Sequence, residues 1–462
     1  MSEKDLIMAL KQGCLNIDCV TMELVQNSQE NPVKYIGRGY IKQDENGVLN
    51  FKIYTNEVEN LNEASELVSM FNQLNKSGTI YSENDYYSLI AKSYEGEIWK
   101  AERILLNGNV DRRQTPPCVY GKVLLIKHST NTENKDGKHC LTMRFFDEID
   151  IPCIEMTKCV TETGIEYNRD TVRFSAANAA FNIKKLDKEI MLKVSSDAGF
   201  YPHFELSITE AMRYILARNV FYRVLTKRDK NKKTLYLFST QHQSAKPQLD
   251  GPLLHKYTDS QAMLWRLFSC YLEYVIKETS LNGKCRCAIH LFKAVEASAN
   301  SYYAWAMGLC VAVEGIASLV SKEDSMDEQK KKEQEELKKQ IDEIISLVKG
   351  WLKSKCLTKT IIGQRTTGLI GQLKQERVID RLFPLVQNQT IDRSLIRAWK
   401  DLRHPGAHAA ELIDETDPDY QKFFDNLMKV TTLMYLITFH IIGYKEGYTD
   451  YSTHGWPMKS FK

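Results

Sequence analysis

The sequence predicts an α+β multidomain protein, with a β-rich N-terminal part followed by an all-α helical bundle. Up to about residue 240 the apolar residues fall in short runs separated by turn residues. From about residue 258 they recur at helical spacing instead. The chain of 462 residues is also far longer than one core needs, at roughly 150 residues per domain.

The elements follow in chain order. Residues 35–41 and 48–54 read as a hairpin, with Asn46-Gly47 accepting positive φ at the turn. Residues 119–127 and 141–146 read as a second strand pair, joined by the polar loop 129–138. Residues 171–174 and 190–194 continue the strand pattern. One helix interrupts it: Ser207 and Glu210 form a capping box ahead of Met212, Ile215, Leu216, Val220 and Leu225. Residues 1–240 are therefore read as one mainly β or α+β domain. Residues 241–257 are polar and carry Pro247, Gly251 and Pro252, the composition of a linker or a domain-crossing loop.

Beyond it, 264–276 reads as a helix, and 302–320 as a central one that is apolar on nearly every face. In 327–353, Leu337, Ile341, Ile344, Ile345, Val348, Trp351 and Leu352 share a face. A short helix covers 394–402, and a long one covers 419–442 behind Asp417-Pro418. The bundle is assigned to 258–452, with 453–462 as a tail.

Composition narrows the function classes. With 43% hydrophobic and 26% charged residues, the chain is an ordinary globular protein rather than a disordered one. A net charge of +3 argues against nonspecific coating of nucleic acid. The 11 cysteines include no C-x-x-C pair and read as free thiols of a reducing compartment, without a metal site. The N-terminus has no secretory pattern. Glu314 inside the apolar stretch 302–320 would cost roughly 2.5–3.5 kcal/mol in a bilayer. The expectation is a cytoplasmic protein with no membrane segment. No Walker loop, dinucleotide fingerprint, H-E-x-x-H or G-x-S-x-G motif occurs.

The stretch from Arg397 to His408, RAWKDLRHPGAH, gathers Arg397, Lys400, Arg403, His404 and His408 at a helix end. Pro405-Gly406 is expected to stop the helix and let Arg403 and His408 face one site. Such a pair suits phosphodiester cleavage. A neutral imidazole can take the proton of an RNA 2′-OH. A guanidinium can stabilise the phosphorane through parallel hydrogen bonds. No carboxylate cluster accompanies them to hold two metals. Arg397 with His404 also fits the loose spacing, and a basic helix end complementing the macrodipole is the structural alternative.

Arg403-His404-Pro405-Gly406-Ala407-His408 resembles the R-x(4–6)-H signature of the HEPN superfamily. The helix around Cys310-Val-Ala-Val-Glu314-Gly and the end Gly443–Tyr451 resemble the HEPN domain of ApeA-type bacterial proteins, which also carry a β-rich N-terminal domain. The resemblance implies a metal-independent endoribonuclease without cofactor, whose two motifs meet in a homodimer or higher oligomer. It also implies a role in anti-phage defence by abortive infection. Arg403 would then stabilise the transition state, His408 act as base or acid, and His404 orient the phosphate. Glu314 matches an acidic position near the motif and, as a carboxylate in an apolar helix, is expected to meet Arg403 or Lys400. Whether it is catalytic or structural stays open.

Arg213, Arg218, Arg223, Lys227, Arg228, Lys230, Lys232 and Lys233, with aromatics between, form a second basic feature. It reads either as a track for an RNA backbone or as solvated surface. The expected function is RNA cleavage by 2′-OH attack, with tRNA loops as substrates and a phage-derived trigger. Lys400, Arg397, Arg228, Lys232 and Lys233 would bind the RNA. The alternative is an inactive HEPN module for dimerisation and RNA binding, with a ligand-sensing N-terminal domain.

Overall fold

The computed structural model describes residues 2–60, 78, 80–106, 110–111, 118–132, 137–146, 149–161, 164–240, 247–254, 258–320, 328–372, 377–407 and 417–461. The chain is an α+β multidomain protein. It divides into two compact units, Met1–Thr209 with Val220–Gln243, and Glu210–Asn219 with Ser244–Lys462.

The first unit opens with helix α1 (Glu3–Gln12). Ser2 accepts from the Asp5 backbone N–H while the Asp5 carboxylate reaches back to Ser2, and Gly13 ends the helix at φ +76°. The strands that follow are β1 (Asn16–Gln26), β2 (Lys34–Gln43), β3 (Leu49–Glu59), β4 (Tyr87–Ser93), β5 (Ile98–Ile104), β6 (Val110–Asp111), β7 (Cys118–Val123) and β8 (Leu125–Asn131). Then come β9 (His139–Phe145), β10 (Glu155–Thr161), β11 (Gly164–Ala176), β12 (Ala179–Leu186) and β13 (Glu189–Ser196). Helix α2 (Phe204–Leu216), which belongs to the second unit from Glu210 on, precedes β14 (Val224–Arg228) and β15 (Lys232–Phe238). The strands form one sheet in the order β10-β11-β12-β13-β9-β14-β15-β8-β5-β4-β1-β2-β3-β7-β6.

The β2–β3 hairpin forms as its sequence predicts. Gly47, at φ +77°, donates to the Asp44 carbonyl at 2.9 Å, and Asp44 Oδ1 accepts from the Asn46 and Val48 backbones. Of the two turn residues, only Gly47 uses positive φ. Gly37 and Gly39 let β2 and β3 approach closely: a Cβ at either would stand 2.1 Å from the Tyr54 carbonyl oxygen or 1.8 Å from that of Lys52. Leu24, Phe51, Trp99, Ile126 and Leu237 belong to the core that also receives Leu6 and Leu10 of α1. Each such burial stabilises the fold by roughly 1.5–3 kcal/mol.

Two expectations are corrected here. The runs 119–127 and 141–146 are not partners: the first spans β7, which pairs with β3 and β6, and the start of β8, which pairs with β15 and β5, while β9 pairs with β13 and β14. The β14–β15 hairpin, some ninety residues later, inserts between them. Ser207 is not a cap either. Helix α2 starts at Phe204, and the Ser207 backbone N–H already donates to the His203 carbonyl at 3.2 Å.

The second unit is built from α3 (Thr258–Asn282), α4 (Arg286–Ser298), α5 (Tyr302–Ala317), α6 (Glu328–Ser354), α7 (Ile361–Gln372), α8 (Val378–Gln387), α9 (Arg393–Ala407) and α10 (Asp417–Ile442). Helix α5 is central, as its apolar surface predicts. It packs against α4, α9 and α10 and buries Trp305, Leu309, Ala312, Val313 and Ile316. No described helix is long and apolar enough to cross a membrane.

Two further readings change. Residues 247–254 are docked rather than a loose linker. Leu249 and Leu253 are buried, and the hydroxyls of Tyr435 and Tyr451 donate to the carbonyls of Asp250 and Gly251. The last residues are not a free tail: β16 (Gly447–Thr449) pairs with β17 (Met458–Ser460). Asp450, 1% exposed, accepts from Lys459, Ser452 and Thr453. Burial opposes its ionisation, but these donors outweigh it and hold the carboxyl below its usual range.

Candidate active site

Helix α9 carries the motif. Leu395, Ile396, Ala398, Trp399 and Leu402 are buried, which leaves Arg393, Arg397, Lys400 and Arg403 on the exposed side. The helix runs on through Ala407, so Pro405-Gly406 does not stop it at Pro405 as expected. A proline two residues before the end removes a single backbone bond, the one to the Asp401 carbonyl, so it loosens the last turn without stopping the helix. The side chain of His404 and the whole of His408 lie outside the described residues.

Arg403 and Glu314 are brought together. Arg403 Nε lies 2.6 Å from Glu314 Oε1, tying α9 to α5. This is one of the two partners the sequence offered for Glu314. The guanidinium also sits over the Trp399 ring, 5.5 Å from its centroid, one helical turn back. Trp399 is buried and its indole N–H donates to the Cys310 carbonyl at 3.3 Å, which anchors the ring against α5. Burial pushes the Cys310 thiol up to about 12, with Glu314 adding and Arg403 opposing. The Arg403 side chain nevertheless stays 54% exposed.

Lys400, the other possible partner of Glu314, lines a groove instead. Arg393, Arg397 and Lys400 follow one another along α9 beside Phe383 of α8, around a volume of about 570 Å³. Their i, i+4, i+7 spacing places three cations on one stripe, with Asp401 the acidic residue of the lining. Arg393 and Phe383 were not singled out from the sequence. The stripe is the signal that could have found Arg393, and exposure of a large aromatic shows only in the structure.

His290 of α4 is a further group the sequence left aside. Its ring fits against Gly315, where a Cβ would stand 2.1 Å from Nδ1. That nitrogen is buried with no hydrogen-bond partner. Burial, then the cations of Lys293 and Arg286, lower the imidazole's pKa.

Within the first unit, the residues of the second basic feature do not form one track. Arg223 clamps loops by donating to the carbonyls of Phe238 and Gly47. Arg213 pairs with Glu210, Lys227 with Glu205 at 2.8 Å, and Lys233 with Glu3. Arg228 and Lys233 are cross-strand partners and share a sheet face. Lys232 is the next residue along β15 and takes the other face, because side chains alternate along a strand.

Among the described residues no three His, Cys, Asp or Glu side chains cluster so that they could hold a metal ion. Comparison with family models, curated proteins and solved structures finds no match for this chain.

Proposed function

We propose that the protein is a HEPN-type endoribonuclease that cuts RNA through its own 2′-OH, with no metal or cofactor in the reaction. The observation that carries the reading is the Arg403–Glu314 pair. The motif arginine and the acidic residue that the resemblance sets beside it meet at 2.6 Å, across two helices and 89 positions of sequence. Glu314 engages Nε and fixes the orientation of an arginine that solvent still reaches. Such a guanidinium can meet the extra negative charge of a pentacovalent phosphorane. His408 supplies the base or acid, and His404 orients the phosphate. Arg397 and Lys400, on the basic groove of the same helix, hold the RNA backbone.

The reading includes a cytoplasmic protein that works as a homodimer or higher oligomer, with two motifs forming one site. It acts on RNA such as tRNA loops, in anti-phage abortive infection, released by a phage-derived trigger. The test incubates purified protein and its Arg403→Ala and His408→Ala variants with total RNA in EDTA. Products should carry 2′,3′-cyclic phosphate and 5′-OH ends and disappear in both variants. Equal cleavage by all three proteins, or cleavage only with added metal, overturns the reading. Phage protection in cells, measured with the same variants, covers an enzyme that is silent without its trigger.

A second reading rests on the same contact. An arginine held by both Glu314 and Trp399 also serves as a purely structural tie. The helical unit is then an RNA-binding and dimerisation module, with ligand sensing in the first unit. Under it, His408→Ala leaves phage protection intact.

A further inference from the structure

The first unit carries a concave polar cradle that the proposed nuclease chemistry does not use. It lies on one face of the sheet across β11, β12, β13, β9 and β14 and encloses about 760 Å³. Strand register explains its lining. Arg173 stands opposite Asn182, Asn182 opposite Lys193, Lys193 opposite Thr142, and Thr142 opposite Thr226. Two residues along, Ser195 stands opposite Cys140, Cys140 opposite Arg228, and Arg228 opposite Lys233. Cross-strand partners project from the same face, so these are two parallel polar rows.

The charge on the cradle is unbalanced. Arg144, Arg173, Lys193, Arg228 and Lys233 line it, against Glu3. Three of the five have partners: Arg144 pairs with Glu189, Arg173 with Glu155, and Lys233 with Glu3. Lys193 and Arg228 have no acidic partner among the described residues. Arg228 Nε is buried with no hydrogen-bond partner at all. A buried donor left unmade is costly, more so for a charged group, so a small shift of the Arg228 side chain toward an acceptor is favoured. Lys193 and Arg228 flank β9, offset by one pleat, with Thr142, Asn182 and Ser195 as neutral donors between and beside them.

We propose that this cradle binds a small polyanion through its phosphate chain, free polyphosphate or a nucleoside polyphosphate, held by Lys193 and Arg228. The volume is that of a small-ligand site. Single-stranded RNA is the less suited occupant, since such strands are held by stacking bases on rings. Phe174 and Phe181 border the cradle, but they sit at the alternate positions of their strands and already stack on each other, 4.9 Å between centroids. The site lies wholly within the first unit, and the proposal stands apart from the nuclease reading.

The experiment titrates the full chain calorimetrically with sodium triphosphate and with ATP at near-physiological salt. Saturable one-to-one binding is expected, weakened about ten-fold or more by Lys193→Ala and by Arg228→Ala. Lys92→Ala, which removes an exposed cation from β4, should leave it unchanged. Arg228→Lys should recover part of the loss, which separates lost charge from misfolding. Equal affinities identify the free phosphate chain as sufficient, and much tighter ATP identifies a nucleoside polyphosphate. No saturable binding of either, or binding unaffected by both alanine variants, overturns the proposal. So does an RNA oligonucleotide that binds through Lys193 and Arg228 where triphosphate does not.

Discussion

Arg403 Nε meets Glu314 Oε1 at 2.6 Å, with Trp399 beneath the guanidinium and Cys310 beside the carboxylate. One contact therefore links the motif helix to the central helix of its unit. The pair is partly exposed, so it contributes to stability by about 1 kcal/mol or less. Its position beside the motif matters more than its strength.

Arg403→Ala should lower RNA cleavage by about 10²–10³-fold, the size of effect seen when one donor to a developing oxyanion is lost. Glu314→Gln should lower it less, because the amide keeps an acceptor for Nε but loses the charge. A double-mutant cycle in urea should give a coupling no greater than about 1 kcal/mol. Full activity in Arg403→Ala would leave the contact a structural tie.

Gly315→Ala should destabilise the helical unit by about 1–3 kcal/mol, because the new methyl group meets the His290 ring. Truncating the obstacle provides the check. His290→Ala in the Gly315→Ala background should recover part of the loss in chemical denaturation, whereas the same change in the wild type should not stabilise.

Much of this was legible in the sequence, and the failures have separate causes. The hairpin around Gly47 and the central helix around Glu314 are set by neighbours a few residues away, and both form where expected. Glu314 was expected to need a cation because a lone carboxylate is costly in an apolar helix. The pairing of β8 and β9 was misread because their true neighbours, β14 and β15, come from far along the chain. The capping residue of α2 was misplaced by four positions because Ser207 and Glu210 imitate a start signal inside the first turns. Helices α1, α4, α7 and α8 went unread, α8 with a proline inside it. The cradle's two rows were invisible because they join residues of strands that are distant in sequence.

Trp399→Ala should cost about 3–5 kcal/mol, since it empties a buried aromatic site and removes the indole bond to Cys310. Trp399→Phe should cost distinctly less while still abolishing that hydrogen bond. If cleavage falls in Trp399→Phe with the fold intact by circular dichroism, the ring acts by positioning Arg403 rather than by filling space.

The acid response should reveal His290. Its folded pKa is depressed below the ordinary 6.5, by burial first and then by Lys293 and Arg286. The unfolded chain therefore takes up the proton more readily than the folded one. The stability this neutral ring allows is complete above the unfolded value and is lost as pH falls below it, down to the depressed folded value. Asp450 is also shifted downward, held below the usual carboxylate range, so its contribution is complete above the unfolded carboxyl's pKa and is lost as pH falls through the depressed folded value. Thermal melts of the wild type should show a first decline just below neutrality and a second in strongly acidic buffer. His290→Gln should flatten the first and leave the second, while Asp450→Asn should lower stability at neutral pH and weaken the second. A first decline unchanged in His290→Gln would assign it to another group.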